Sequence, residues 1–447
     1  MSEKILVVGL GMSGIAVSKV LNSIGYEVLV YDDKPYDQIE GIDKLQNLPI
    51  TRVMGDPLSY INEINCIVVS PGVPLDKEFI VKAIDRDIEV ISEIELAYRI
   101  SKAPIIAITG TNGKTTTTAL TGEIFKNAGL KTRVSGNIGK PLIYDCYEAD
   151  DDEIIIAEIS SFQLETIRYF HPHISAILNI TPDHLDRHKT MENYIYIKSK
   201  IFMNQDTSDF AILNFDDPNT WGLHDKINAR LVPFSRRERL KDGLYIDGEH
   251  IISNIDNSME KIIDINEIFI PGKHNLENAL AACAIAKSWG INNDTIKYTL
   301  KTFKGVEHRI EFVDEINGIK FINDSKGTNP DAAIKAIEAI KGDIILIAGG
   351  YDKGNDYYDF IQSFDDKVRY LILIGATADK IEKQATSMGY TNVVRAQTLK
   401  EAVDKAYQLA KREDTVLLSP ACASWDMFSN FEERGKLFKS YVKALRG

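Results

Sequence analysis

A chain of 447 residues with 44% hydrophobic and 26% charged positions has the composition of a globular protein. At about 150 residues per domain it is too long for one core and points to three. Its net charge of −13 excludes a scaffold that holds nucleic acid on a basic surface. Cys66, Cys146, Cys283 and Cys422 lie far apart with no C-x-x-C, so neither a disulfide framework nor a zinc site is expected, and a reducing cytoplasm fits.

Three blocks of short apolar strands alternate with helical patterns, the signature of α/β layering on parallel sheets. In the first, strand 5–8 runs into Gly9-Leu10-Gly11-Met12-Ser13-Gly14, a complete G-x-G-x-x-G, and a helix over 14–23. Strands 27–33 and 66–72 follow. The second block starts near Ala103-Pro104 with strand 105–110 and continues through strands at 153–160, 174–180 and 210–215. The third starts near Phe303-Lys304-Gly305, with strands at 319–324, 343–350, 369–375 and 415–421. No apolar stretch approaches the roughly 20 residues of a membrane span. The N-terminal apolar run is too short for a signal peptide.

The first glycine loop suits any diphosphate. The acidic pair Asp32-Asp33 after the second strand also fits a nicotinamide ribose contact, so this block alone leaves a dehydrogenase open. The second glycine loop changes the picture. TGTNGKTTTT, residues 109–118, follows a strand and opens a helix. Glycines let successive backbone N–H groups turn toward a phosphate, and the helix N-terminus adds partial positive charge. Lys114 can neutralise terminal phosphate oxygens and Thr115 can ligate Mg²⁺. The strict G-x-x-x-x-G-K-[ST] pattern is broken by Ile108. Glu158 and His184 both follow apolar strands, at the strand ends where such sheets bind ligands. Glu158 fits equally a capping or ion-paired role. His184, with Asp183 and Asp186, fits equally the turn chemistry of Thr-Pro-Asp.

TGTNGKTT (109–116), EISSFQLE (158–165), NITPDHLDRH (179–188), PGKHNLENALAA (271–282), HRIE (308–311), NDSKGTNPDAA (323–333) and SPACASWDMFSNFEERG (419–435) occur in that order. Together they closely resemble the Mur ligases of peptidoglycan synthesis. The G-L-G-M-S-G module and the 419–435 stretch resemble the branch that adds D-glutamate. The resemblance implies an α/β chain of three domains: an N-terminal Rossmann-like domain for UDP (1–100), a central P-loop ATPase with a mostly parallel sheet (101–304), and a C-terminal Rossmann-like domain for the amino acid (305–447). The implied reaction adds D-glutamate to UDP-N-acetylmuramoyl-L-alanine through an acyl phosphate.

The implied partners are small molecules only: a UDP-sugar, ATP and D-glutamate, with no nucleic acid and no membrane, the chain acting as a monomer. Motif by motif, Gly110, Thr111, Asn112, Gly113, Lys114, Thr115 and Thr116 would cradle ATP, with Asn275, Arg309 and Asp324 completing its contacts, Asp324 on the ribose. Thr115 and Glu158 would hold one Mg²⁺ and His184 a second. Lys198 matches a family lysine that CO₂ carbamylates into an oxygen donor for metal; on its own it reads as a solvated helix lysine. Ser13, Asp33, Lys34 and Gly72 would border the UDP part, and Asn137 the muramoyl-alanyl part. Lys326, Thr328, Lys353, Ser424 and Phe431 would surround D-glutamate, with Lys326 also catalytic. A dianionic amino acid needs such cations and hydroxyl donors.

Overall fold

The computed structural model describes residues 3–137 and 139–446, with Asp186 described by its backbone alone. Apolar β-branched runs bounded by glycine and polar turns form its strands, which assemble into three sheets.

The first sheet is wholly parallel, in the order β3-β2-β1-β4-β5. Its strands are β1 (Lys4–Val8), β2 (Glu27–Tyr31), β3 (Ile50–Arg52), β4 (Cys66–Val69) and β5 (Glu89–Ser92). The second has nine strands in the order β14-β13-β12-β11-β10-β9-β6-β8-β7. These are β6 (Ile105–Thr109), β7 (Thr132–Gly136), β8 (Ile154–Glu158), β9 (Ile174–Ile177), β10 (Phe210–Asn214), β11 (Arg230–Ser235), β12 (Gly243–Asp247), β13 (His250–Ile255) and β14 (Ser258–Asp264). Pairing is parallel from β7 to β12, and β12, β13 and β14 add an antiparallel edge. The third sheet runs β15-β16-β20-β17-β18-β19. It comprises β15 (Glu311–Ile316), β16 (Ile319–Asn323), β17 (Ile344–Ala348), β18 (Val368–Leu373), β19 (Val393–Arg395) and β20 (Thr415–Leu418), antiparallel only at β15–β16.

Packing groups the chain into two compact units. One holds the first two sheets, up to Glu267, together with Glu277–Lys301. The other holds the third sheet, from Thr302 onward, together with Ile268–Leu276. Within the first unit a single buried core runs from Val7 and Leu10 through Ile94 and Leu142 to Ile177 and Leu213, so the two sheets share apolar burial. Two buried acids strengthen the joint. Glu93 accepts a hydrogen bond from Ile143 N at 2.7 Å. Glu95 accepts from the backbone N–H groups of Arg168, Tyr169 and Phe170 at 2.9–3.0 Å. In the second unit, apolar clusters cover both faces of the third sheet. No helix among the described residues is long and apolar enough to cross a membrane.

Candidate active site

The first glycine loop opens a cleft of about 450 Å³ at the carboxyl ends of β1, β2 and β4. Ser13, Asp33, Lys34 and Gly72 all line it, as do Asp32, Ser70 and Pro71. Gly14, in the first turn of the helix Met12–Ser23, lies so close to the loop after β1 that a Cβ there would fall 1.9 Å from Gly9 O. Asp32 does not face outward as a ribose ligand would. Its Oδ2 accepts from Leu10 N at 2.6 Å and its Oδ1 from Lys34 N at 2.9 Å. One carboxylate thus ties the glycine loop to the next strand end. Lys77 also lines the cleft and lies 2.6 Å from Asp33 Oδ2. That ion pair holds the Asp33 carboxyl below its usual range.

The second glycine loop begins after β6. Ile108 is fully buried inside that strand, so the loop is shorter than the strict pattern and starts at Gly110. Gly113 has φ +85° and precedes the helix Lys114–Asn127; a Cβ there would sit 2.3 Å from Asn278 Oδ1. The loop is stapled from outside. Thr111 N donates to Asn179 O and Asn112 N to Asn179 Oδ1, both at 2.8 Å. Thr181 N donates to Thr111 Oγ1 at 3.0 Å. The Lys114 ammonium folds back onto Gly110 O at 2.8 Å and Thr111 O at 2.9 Å. Thr115 and Thr116 are buried in the first turn of the helix.

Lys198 lies beneath this loop, 1% exposed, on the helix Met191–Ser199. Its Nζ donates to Gly110 O at 3.0 Å and sits 4.8 Å from the centre of the Tyr194 ring. Burial, and next the Lys114 charge, push its pKa well below the ordinary lysine value, while Asp183 and Glu158 oppose that shift. Glu158 ends β8 beside Ile108 of β6. Its Oε1 accepts from Asn137 Nδ2 at 2.9 Å, and its Oε2 is buried with no hydrogen-bond partner among the described residues. An orphaned carboxylate oxygen beside a threonine-rich helix start suits a hard divalent cation. His184 has φ 53° and stands at the N-terminus of the short helix Leu185–His188, half exposed, 3.5 Å from Asp183 Oδ2. The side chain of Asp186 lies outside the described residues.

In the second unit, Arg309, His274 and Asp324 interact electrostatically. Burial and then the Arg309 charge lower His274 to about 4. Burial raises Asp324 to about 6, against a 2.7 Å hydrogen bond from Ser419 Oγ. Ile310 N donates to its other oxygen at 3.2 Å. Asn275 Nδ2 donates to Pro271 O at 2.7 Å.

The residues expected around the amino acid sit on adjoining segments after β16, β17 and β20. Tyr351 bridges to Ala423, which brings the Lys353 loop beside Ser424, and Lys353 Nζ lies 4.8 Å from the Trp425 ring centre. Lys326 Nζ stands 5.6 Å from the Phe431 ring centre, and Thr328 N donates to Lys326 O at 2.8 Å. Arg434, which the sequence reading passed over, is fully buried. Its guanidinium donates to Ser325 O at 2.8 Å, to Ser325 Oγ at 3.0 Å, and to the carbonyls of Cys422 and Ala423. One arginine thereby joins the segment before Lys326 to the segment before Ser424. Asn179 and Asn278 were passed over as well, although both lie inside quoted motifs.

Comparison with known proteins accords with this architecture. The family profiles "Mur ligase MurD-like, N-terminal domain", "Mur ligase middle domain" and "Mur ligase, glutamate ligase domain" match residues 3–92, 108–286 and 308–422. The UDP-N-acetylmuramoylalanine--D-glutamate ligase of Thermoanaerobacter sp. (strain X514) is 58% identical over 448 residues, covering 99% of each chain. Among solved structures, the UDP-N-acetylmuramate-alanine ligase MurC of Thermotoga maritima covers 99% of each chain, with 20% identity and a TM-score of 0.62. The MurF ligase of Thermotoga maritima in complex with ADP covers 88% of this chain and 94% of its own, with 16% identity and a TM-score of 0.58. At those identities the two structures show the shared fold. The chain belongs to the Mur ligases, a family of ATP-dependent ligases. Within that family it groups with the UDP-N-acetylmuramoylalanine--D-glutamate ligases, which it matches from end to end.

Proposed function

We propose that this chain joins D-glutamate to UDP-N-acetylmuramoyl-L-alanine and cleaves ATP to ADP and phosphate in doing so. The observation that carries the ATP half is the loop from Gly110 to Lys114, with its folded-back ammonium and the buried Lys198 beneath it. The D-glutamate half rests on the end-to-end likeness to ligases of that name.

The substrate carboxylate takes the γ-phosphoryl group, because a carboxylate alone is a poor electrophile. The D-glutamate amine attacks the acyl phosphate, and the tetrahedral intermediate expels phosphate. Every reactant is anionic, so the protein's task is positioning and charge neutralisation. Residues 1–100 bind the UDP part, with Ser13, Lys34 and Gly72 at the cleft. Asp33 there keeps Lys77 in place, and Asn137 contacts the muramoyl-alanyl end. Residues 101–304 bind and cleave ATP. Lys114 faces its terminal phosphates, Gly110 to Thr116 wrap them, and Asn275, Arg309 and Asp324 contact the rest of the nucleotide. Residues 305–447 take the amino acid, with Lys326, Thr328, Lys353, Ser424 and Phe431 around it.

Thr115 and Glu158 would hold one Mg²⁺, and His184 with a carbamylated Lys198 a second. Mg²⁺, when bound, draws negative charge from the phosphate oxygens. The lowered pKa of Lys198 supports its modification, since a neutral amine is the form that adds CO₂. All substrates are small molecules, and we place the reaction in the cytoplasm, carried out by the monomer.

The test is phosphate release from ATP, with product mass, across D- and L-amino acids in the presence of UDP-N-acetylmuramoyl-L-alanine. Release that requires both the UDP-sugar and D-glutamate is expected. Release that ignores the amino acid, or that favours L-glutamate, would overturn the assignment.

A further inference from the structure

The proposed ligation uses the carboxyl ends of the second sheet's strands. A second group of metal-ligating side chains lies at the opposite, amino ends. His171, Pro172 and His173 lead into β9, and Asp206 to Asp209 form the turn that leads into β10. His171 Nε2 is 2.5 Å from Asp209 Oδ2, and His173 Nδ1 is 3.1 Å from Asp209 Oδ1. The ligand atoms of His171, Asp206 and Asp209 all lie within 4.8 Å of one another. A cavity of about 230 Å³ opens beside them, lined by His171, His173 and Asp209 with Tyr98 and the Ser101–Ile105 linker.

Charge favours a cation here. Asp209 is only 4% exposed, and its ion-pair partners among the described residues are the two imidazoles; no lysine or arginine pairs with it or with Asp206. Asp206 Oδ1 accepts from Ser208 N at 2.8 Å and from Ser208 Oγ at 2.7 Å, which fixes the carboxylate's orientation. Asp206 and Asp209 thus place two carboxylates at this corner without a lysine or arginine ion pair among the described residues. A buried carboxylate such as that of Asp209 is paired or binds metal.

The frame is rigid. Buried Gln205 donates to Pro172 O at 2.9 Å and to Phe210 O at 3.0 Å, and Ser175 Oγ donates to Gln205 Oε1 at 2.8 Å. Asp209 N closes the turn onto Asp206 O at 3.1 Å.

We propose that His171 Nε2, Asp209 Oδ2 and an Asp206 carboxylate oxygen form a structural site for a divalent cation of zinc type. The imidazole ligand favours Zn²⁺, Co²⁺ or Ni²⁺ over Mg²⁺ and Ca²⁺. His173 orients the Asp209 carboxylate through its other oxygen, as outer-shell groups do at metal sites. The cavity leaves room for water to complete the coordination. His171 would ligate through the lone pair of Nε2, with its ring proton carried on Nδ1. Bound metal would tie the entries of β9 and β10 together, a full strand length from the phosphate loop.

The test uses the full-length, chelator-treated protein with excess Mg²⁺ present to occupy the ligation site. Co²⁺ is titrated by its visible absorption, then displaced with Zn²⁺. One equivalent is expected to bind, and saturation should raise the unfolding midpoint by about 2–4 °C. His171→Ala and the exposed-site variant Asp206→Asn should each weaken binding by about 100-fold or more, and His173→Ala by about 10-fold. Far-UV circular dichroism confirms that each variant folds. No Co²⁺ band up to millimolar metal, or equal affinity in wild type and Asp206→Asn, would overturn the proposal and leave a plain histidine–aspartate brace.

Discussion

The two glycine-rich loops begin alike and end differently. Each follows a buried parallel strand and opens a helix with no acid in its first turn. Each needs a glycine where a Cβ would strike a neighbour. In the first loop an aspartate, Asp32, takes up the Leu10 amide, and the nearby cation Lys77 is bound to Asp33. In the second an asparagine, Asn179, takes up the early amides, and two lysines approach the loop's carbonyl edge. The same backbone solution therefore yields one loop tied down by negative charge and one enriched in positive charge. A diphosphate that is only held suits the first. A phosphoryl group that must be transferred suits the second, because transfer spreads new charge that cations stabilise.

Lys114→Ala breaks the comparison hardest. It leaves the second loop with glycines and no cation of its own, as in the first. Turnover, read as phosphate release, should fall by about 10³-fold or more. The unfolding midpoint should shift by only a few degrees, since two hydrogen bonds to carbonyls are lost. A variant that keeps a tenth of its activity would show that the loop does not handle the γ-phosphate.

Lys198→Met comes next, and it separates activity from stability. Activity should drop by about 10²-fold or more, and short carboxylates added to Lys198→Ala should restore part of it. Stability should move the other way. The folded-state pKa of Lys198 lies well below the unfolded value. Between those two values the unfolded chain binds the extra proton, so wild-type stability rises with pH through that window. Methionine carries no such penalty. Urea unfolding in CO₂-free buffer, where Lys198 carries no carbamate, should show Lys198→Met more stable than wild type at pH 6.5, by about 1–3 kcal/mol. The gap should narrow as pH rises. A variant less stable at every pH would mean that the ammonium's bond to Gly110 outweighs its desolvation.

What the sequence revealed divides along the same physical line. Strands such as β6, β9 and β17 are short, largely apolar and bounded by turns, and each lies inside the expected range, while β1 starts one residue before it, at Lys4. The edge strands β12 to β14 were not read. They are partly exposed and polar, although Asp247-Gly248 is a hairpin signal. Glycines and lysines of the two loops announce themselves by local spacing. Asn179 and Asn278 brace the second loop across 67 and 165 residues (112 to 179, 113 to 278), and a lone asparagine has no periodicity to betray it. Arg434 reads as part of a charged helix start, Phe431-Glu432-Glu433-Arg434, yet only the fold makes it the buried clamp between Ser325 and Cys422. Residues 268–276 precede the expected third-domain boundary but pack with the third sheet, since Gly272 and Gly305 lie against Ala339 and Ile270.

Asp32→Ala sharpens the contrast from the side of the first loop. It frees Leu10 N and Lys34 N at once. Two charge-assisted hydrogen bonds hold the loop's shape, each worth about 1.5–3 kcal/mol. The KM for the UDP-sugar should rise by about 10- to 50-fold. The KM for ATP and the kcat should stay within about threefold. A matched rise in both KM values would mean that the two loops are not separate devices.

Glu93→Gln should have the smallest effect on ligation, because it alters the joint between the loops and neither loop itself. Glu93 follows β5 and is 1% exposed; burial raises its carboxyl from 4.5 to about 7, against the hydrogen bond from Ile143 N. Between those values the folded chain holds the proton and the unfolded chain does not. Wild-type stability therefore falls as pH rises from about 4.5 to about 7 and then levels off. Glutamine keeps an acceptor for Ile143 N and cannot ionise, so its curve lacks that decline. The shift bounds the gain at about 3 kcal/mol, and about 1–3 kcal/mol is expected at pH 8, with little difference at pH 4.5. Urea midpoints for both proteins at the two pH values provide the measurement. A gain at pH 8 with unchanged KM values for ATP and the UDP-sugar would separate the joint's charge from the chemistry of both loops. A loss of stability at pH 8 would show instead that the ionised carboxylate is held more favourably than its burial suggests.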